Sequence, residues 1–199
     1  MPSDETEVAV EALTLLGEQS ITSLTEDSDR ARAVNRIYMP TLEQALRSHD
    51  WNFARMRATL ARVAATPDFG YDFMYQLPQN PLHLRTLTTN LKKDEAWEIE
   101  TYQTTDQTAQ YRVILTNATS LKIRYIALVT SPTLWDALFA DAMVHEIARR
   151  ICYAITRNAT LVATLTEEAK TKWKQARSVD GLESRPLQQL LSDSFTSVR

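Results

Sequence analysis

The run His145-Glu146-Ile147-Ala148-Arg149 opens like the helical motif with which metalloproteases hold zinc. That chemistry needs two histidines four residues apart on one helical face, with the intervening glutamate positioned to activate a water. Here the second ligand position is Arg149, a cation that cannot donate a lone pair to a metal, so the motif fails at a ligand. His49 and His83 have no cysteine or carboxylate at ligand spacing, and all three histidines are expected to be ordinary core or surface residues. Cys152, the single cysteine, sits in the apolar run "RRICYAIT" and reads as a buried, inert thiol suited to a reducing compartment. Gly17, Gly70 and Gly181 are isolated, so no glycine-rich loop cradles a phosphate, and no G-x-S-x-G elbow presents a serine. A hydrolase using two carboxylates would need them roughly 5–10 Å apart across a cleft, and no spacing in the chain specifies such a pair. No metal, cofactor or catalytic residue is expected, and the chain reads as a non-enzyme.

The remaining chemistry lies in "RSHDWNFARMRAT", where Trp51 and Phe53 stand among Arg47, Arg55 and Arg57. On one reading this is a helix that stacks bases on exposed aromatics beside a basic groove, a nucleic-acid-binding module spanning residues 30–62. On the other, the aromatics lock a helix start into the core and the arginines meet acidic groups. Charge distribution bears on the choice. Residues 1–29 hold eight acidic side chains and no Lys or Arg, residues 30–62 hold seven arginines against Glu43 and Asp50, and the whole chain carries −3. Such adjacent blocks suit pairing within a protomer or between copies, with Glu7 and Glu11 offered to Arg47, Arg55 and Arg57 at a subunit interface.

These side chains need elements to position them. At 199 residues, 44% hydrophobic and 24% charged, the chain is long enough to bury a core without disulfide or metal. Apolar periodicity predicts helices at about 4–17 (Gly17 as C-terminal stop), 28–48 (kinked by Pro40), 51–65, 132–156 (capped by Ser131, with Pro132 in the first turn) and 160–178. Strands fall between 71 and 130. The clearest is "LKIRYIALV", in which Leu121, Ile123, Tyr125, Ala127 and Val129 point one way, with "TNATS" before it as a hairpin connection. The fold class expected is α+β, mainly α: a helical bundle with a small inserted antiparallel sheet or hairpins, making one domain over 1–180. Residues 181–199 read as an extended tail that docks on a partner through Arg185, Leu187, Leu190, Leu191 and Phe195. The acidic N-terminus carries no secretory signal pattern, and no apolar run reaches membrane-spanning length.

One resemblance follows from the order of these pieces. "Y-x7-L" over Tyr38–Leu46 runs into "HDWNFARMRATLA"; then come "YQLP", "IRYIALVTSPTLWDALFADAMVHEIARRICYAIT" and "ARSVDGLESRP", with A-x3-D-x2-E at Ala176, Asp180 and Glu183. From about residue 6 to about 186 the pattern resembles the head–tail adaptor proteins of tailed bacteriophages, in particular the tail tubular protein A group of short-tailed phages. The insertions of that group's longer members are lacking. The resemblance implies a structural virion protein whose copies, commonly twelve, form a ring under the portal. It implies the portal and a downstream tail or nozzle protein as partners, with genome DNA passing through the lumen without specific binding.

Overall fold

A computed structural model describes residues 2–79, 83–104 and 107–183. They form two compact units. A helical unit comprises residues up to Ala45, Trp51–Phe53 and the chain from Thr130 onward; a sheet unit comprises Leu46–Asp50 and Ala54–Val129.

The first helix, α1 (Glu5–Leu15), begins where Asp4 accepts the Glu7 amide and buries Val8, Ala9, Ala12 and Leu13. It stops at Gly17, whose φ of 72° carries the chain into the left-handed region. The Gly17 amide donates to the Thr14 carbonyl and the Glu18 amide to that of Leu13, which satisfies the last turn as a paired C-terminal cap. Next, α2 (Asp29–Ser48) starts after Ser28, whose hydroxyl accepts the Ala31 amide, and runs through Pro40 as one helix. The most buried helix is α3 (Ala137–Thr156), with nine buried residues from Phe139 to Cys152. It begins five residues later than the sequence suggests. Pro132–Leu134 form a separate 3-10 turn, and Asp136, not Ser131, accepts the amides of Leu138 and Phe139. Trp135 is the break, held extended at ψ 154°. The last helix, α4 (Ala159–Leu182), is capped by Asn158 and buries only a stripe of Leu165, Ala169, Ala176 and Asp180. No helix among the described residues is long and apolar enough to cross a membrane.

The sheet unit corrects the expected fold class. Instead of a helical bundle with a small insert, the chain is α+β, with two three-stranded antiparallel sheets and four α-helices among the described residues. One sheet has the order β1-β6-β3, formed by Arg55–Thr59, Lys122–Ala127 and His83–Thr89. The other has the order β2-β5-β4, formed by Phe73–Gln76, Gln110–Thr116 and Trp97–Gln103. Two local expectations fall with this. The predicted helix over 51–65 is a 3-10 turn at Asn52–Ala54 followed directly by β1. Arg, Met, Ala and Leu favour helix when isolated, but Met56, Ala58 and Leu60 also alternate with Arg55, Arg57 and Thr59, and pairing with β6 selects that second period. "TNATS" is likewise no hairpin: β5 and β6 lie in different sheets, so this segment carries the chain from one sheet to the other.

The two sheets pack face to face. Leu121, Ile123, Tyr125 and Ala127, the predicted inward row of β6, meet Tyr75 and Ile114 of the other sheet, together with Leu60 and Leu77. Because side chains alternate along a strand, the opposite faces point away from this core and from each other.

Candidate functional site

In the helical unit the segment Trp51-Asn52-Phe53 makes a lock. Trp51 is fully buried, and its indole Nε1 donates to the Ala45 carbonyl at 2.9 Å. Its ring lies 4.9 Å from that of Phe139 at 76° and 6.0 Å from that of Trp173; Phe53 meets Phe139 at 4.9 Å and 66°. Edge-to-face rings at such spacing add to the large area they bury. Between them, Asn52 is tied at both ends. Its backbone amide donates to Asp180 Oδ1 at 2.9 Å and its side-chain Nδ2 to the Asp180 carbonyl at 2.6 Å. Removing that carboxylate in Asp180→Ala strands a half-buried amide, so urea denaturation should show a loss of about 1–3 kcal/mol, with Asp180→Asn losing less because one oxygen acceptor remains. Equal stability of all three proteins would show that the bond is replaced by solvent.

The helix that opens like a zinc motif is built for another purpose. Glu146 accepts two bonds from Arg149, at 3.0 and 2.7 Å, and one from Arg150 at 2.7 Å. Burial opposes the charge on Glu146, but the two guanidiniums outweigh it and hold the carboxyl below its ordinary range. His145 Nδ1 lies 2.8 Å from the Asp141 carbonyl. Among the described residues no three His, Cys, Asp or Glu side chains converge as a metal site would require. Cys152 is buried and free.

The residues expected at a subunit interface separate. Glu7 and Glu11 are exposed on α1 in the helical unit, where Glu7 accepts the Ser3 amide at 2.5 Å. Within the helical unit the acidic first segment pairs with arginines of its own chain: Arg30 with Glu18 at 3.8 Å, and Arg32 with Asp27 and Asp29. Arg47 and Arg55, in the sheet unit, turn to carbonyls instead. Arg47 donates to the Leu84 carbonyl at 2.5 Å and Arg55 to that of Asp50 at 2.7 Å. The Asp50 carboxylate is taken by Arg85, a pairing that nothing in the local sequence signals. Arg57 is exposed on β1. Arg185, Leu187, Leu190, Leu191 and Phe195 lie outside the described residues.

Two surfaces escaped the sequence reading. On the outer face of β1-β6-β3, Arg57 stands directly opposite Arg124, and Thr59 opposite Lys122. On the outer face of β2-β5-β4, Glu98 and Glu100 flank the apolar row Met74, Val113 and Leu115. Beside them the 66–71 segment closes a groove of about 270 Å³, to which Asp68, Phe69, Tyr71 and Tyr102 contribute. Desolvation and the neighbouring Glu98 and Glu100 hold the Tyr71 hydroxyl above its ordinary range, and that hydroxyl hydrogen-bonds Glu98. Phe69 is 87% exposed, a large apolar ring left in water. The strand "AWEIETY" carried this signal in its period of two, which puts Glu98 and Glu100 on one face.

Compared with known protein families and with curated proteins, the chain matches none.

Proposed function

We propose that this chain is a structural virion protein, a head–tail adaptor of the tail tubular protein A type. Its copies form a ring that joins the portal to the next tail or nozzle component and lets the genome pass. It acts by surface fit and carries out no reaction. One observation carries this reading. Two of the motifs that carry the resemblance, "WNFA" and A-x3-D-x2-E, grip each other although 128 residues separate Asn52 from Asp180. Ala54 and Ala176, the alanines of the same two motifs, are fully buried. In both motifs the residues that carry the resemblance hold architecture, by burial and by hydrogen bonds within the chain.

The runner-up, a helical nucleic-acid module over 30–62, loses the helix it was built on, since β1 occupies Arg55–Thr59. Trp51 is also fully buried and presents no face on which a base could stack.

Mixing the full chain with the portal complex of its particle and imaging the product by electron microscopy tests the proposal: rings seated on the portal are expected. A chain that leaves the portal bare, yet binds duplex DNA with a steep salt dependence, would replace the adaptor reading with the nucleic-acid one. Portal capture is expected to need Arg185, Leu187, Leu190, Leu191 and Phe195. Deleting residues 184–199, beyond the end of α4, should abolish it and leave the helical circular-dichroism signal unchanged. Undiminished portal binding by the truncated chain would move the docking surface elsewhere.

A further inference from the structure

We infer that the sheet unit joins one copy to the next head to tail, the acidic groove on the outer face of β2-β5-β4 receiving the arginine edge formed by β1 and β6 of a second copy. The inference takes its setting from the ring reading above and adds the contact that would make the ring.

The arginine edge is electrostatically unfinished. Arg57 and Arg124 are cross-strand neighbours, and like charges directly opposite on a sheet destabilise it. The Nε of Arg124 is buried and has no hydrogen-bond partner among the described residues. Exposed Lys122 adds a third positive charge to the same face. Within the sheet unit the Asp50 carboxylate is committed to Arg85. Glu98 and Glu100 cannot help within one copy, because the two sheets pack by their inner faces and these charges point the opposite way.

The groove is made of what a guanidinium needs. Its planar cation stacks on aromatic rings and takes carboxylates in a two-pronged bond. Phe69, Tyr71 and Tyr102 supply the rings, and Asp68, Glu98 and Glu100 the carboxylates. The exposed ring of Phe69 gains a partner by the same contact. A second copy is the occupant to which the charges point, since one chain carries both halves and, within the sheet unit, the two lie on opposite outer faces. A contact between two unlike faces repeats, so it closes into a ring or grows into a filament, never a twofold dimer. Phosphate could also neutralise the arginine edge, but it would leave the acidic aromatic groove without a role.

Cysteine pairing between two full-length variants tests this. Thr59→Cys marks the edge and Thr66→Cys the groove, both at exposed positions, while native Cys152 is fully buried and stays silent. When both variants are mixed on the portal and treated with a short bis-maleimide, a covalent dimer is expected from the mixture and from neither variant alone. In parallel, Glu100→Arg should lower ring yield about tenfold, and adding Arg57→Glu to it should restore assembly, because opposite charges again face each other. Rings that form without the mixed crosslink and tolerate Glu100→Arg overturn this contact and leave the adaptor reading intact. The mixed crosslink in concentrated solution with no ring on the portal sustains the contact and overturns the adaptor reading. Absence of both overturns both. Duplex DNA affinity lost in Arg57→Glu while rings persist assigns the edge to phosphate and overturns the contact.

Discussion

Trp51→Ala should lower the unfolding free energy by about 3–5 kcal/mol, among the largest losses any single substitution here can cause. The side chain is fully buried, so truncation leaves a void bounded by Phe53, Phe139 and Trp173. Those rings come from the 51–53 turn, α3 and α4, and they cannot all move into one space. The loss has two parts that a second variant separates. Trp51→Phe keeps an aromatic ring against Phe139 but removes the indole N–H that reaches the Ala45 carbonyl, and should cost about 1–3 kcal/mol. A double cycle with Phe139→Leu should show coupling, because the two rings lie edge to face at 4.9 Å. Urea unfolding followed by far-ultraviolet circular dichroism reads all five proteins, the native chain, the three single variants and the double variant. A Trp51→Ala loss below about 1 kcal/mol would mean that the ring contributes little to the helical unit.

Acid should destabilise the protein through His83, across a window set by two protonation equilibria. The imidazole is only 3% exposed, its Nδ1 has no hydrogen-bond partner among the described residues, and its Nε2 lies 2.9 Å from Thr86 Oγ1. Burial first, then the nearby Arg112 and Arg47 charges, push its pKa from 6.5 down to about 4. Between those values the unfolded chain binds a proton that the folded chain refuses. Stability therefore rises with pH through this window and is lost on acidification from about 6.5 to about 4, by a total of about 3 kcal/mol. Glu146 acts in the same direction but lower, since its pKa falls from an ordinary value of 4.5. His83→Gln isolates the first window: its stability should vary about 3 kcal/mol less than that of the native chain over that range. Parallel curves for the two proteins, or an imidazole resonance titrating near 6.5, would show that protonation of His83 is not opposed.

Legibility in the sequence followed the range of the forces involved. The α1 stop at Gly17, the α2 start beside Ser28 and the one-sided row of β6 all follow from residues a few positions apart. Caps and periodicity express a segment's own contest between water and core. "RMRAT" failed because two periods fit it equally well over five residues, and only β6, 63 or more positions away, chooses between them. The "TNATS" turn was visible as a change of direction, but a turn does not name the strand it leads to. Arg47 and Arg55 were expected to meet carboxylates at a subunit interface. Carbonyls brought near by folding then claimed them in place of carboxylates.

What the sequence determined alone is therefore local and compositional: where four of five expected helices lie, which rows of side chains avoid water, a single buried cysteine, and the failure of the zinc pattern at Arg149. What only the tertiary structure decided is which distant groups meet. It set Asp180 against Asn52, left Arg57 facing Arg124, and turned Glu98 and Glu100 onto the opposite outer face. The reason is that hydrogen bonds and strand pairing act over a few ångströms in space with no regard for distance along the chain. Their partners are chosen by the edges and donors that the packed core leaves open.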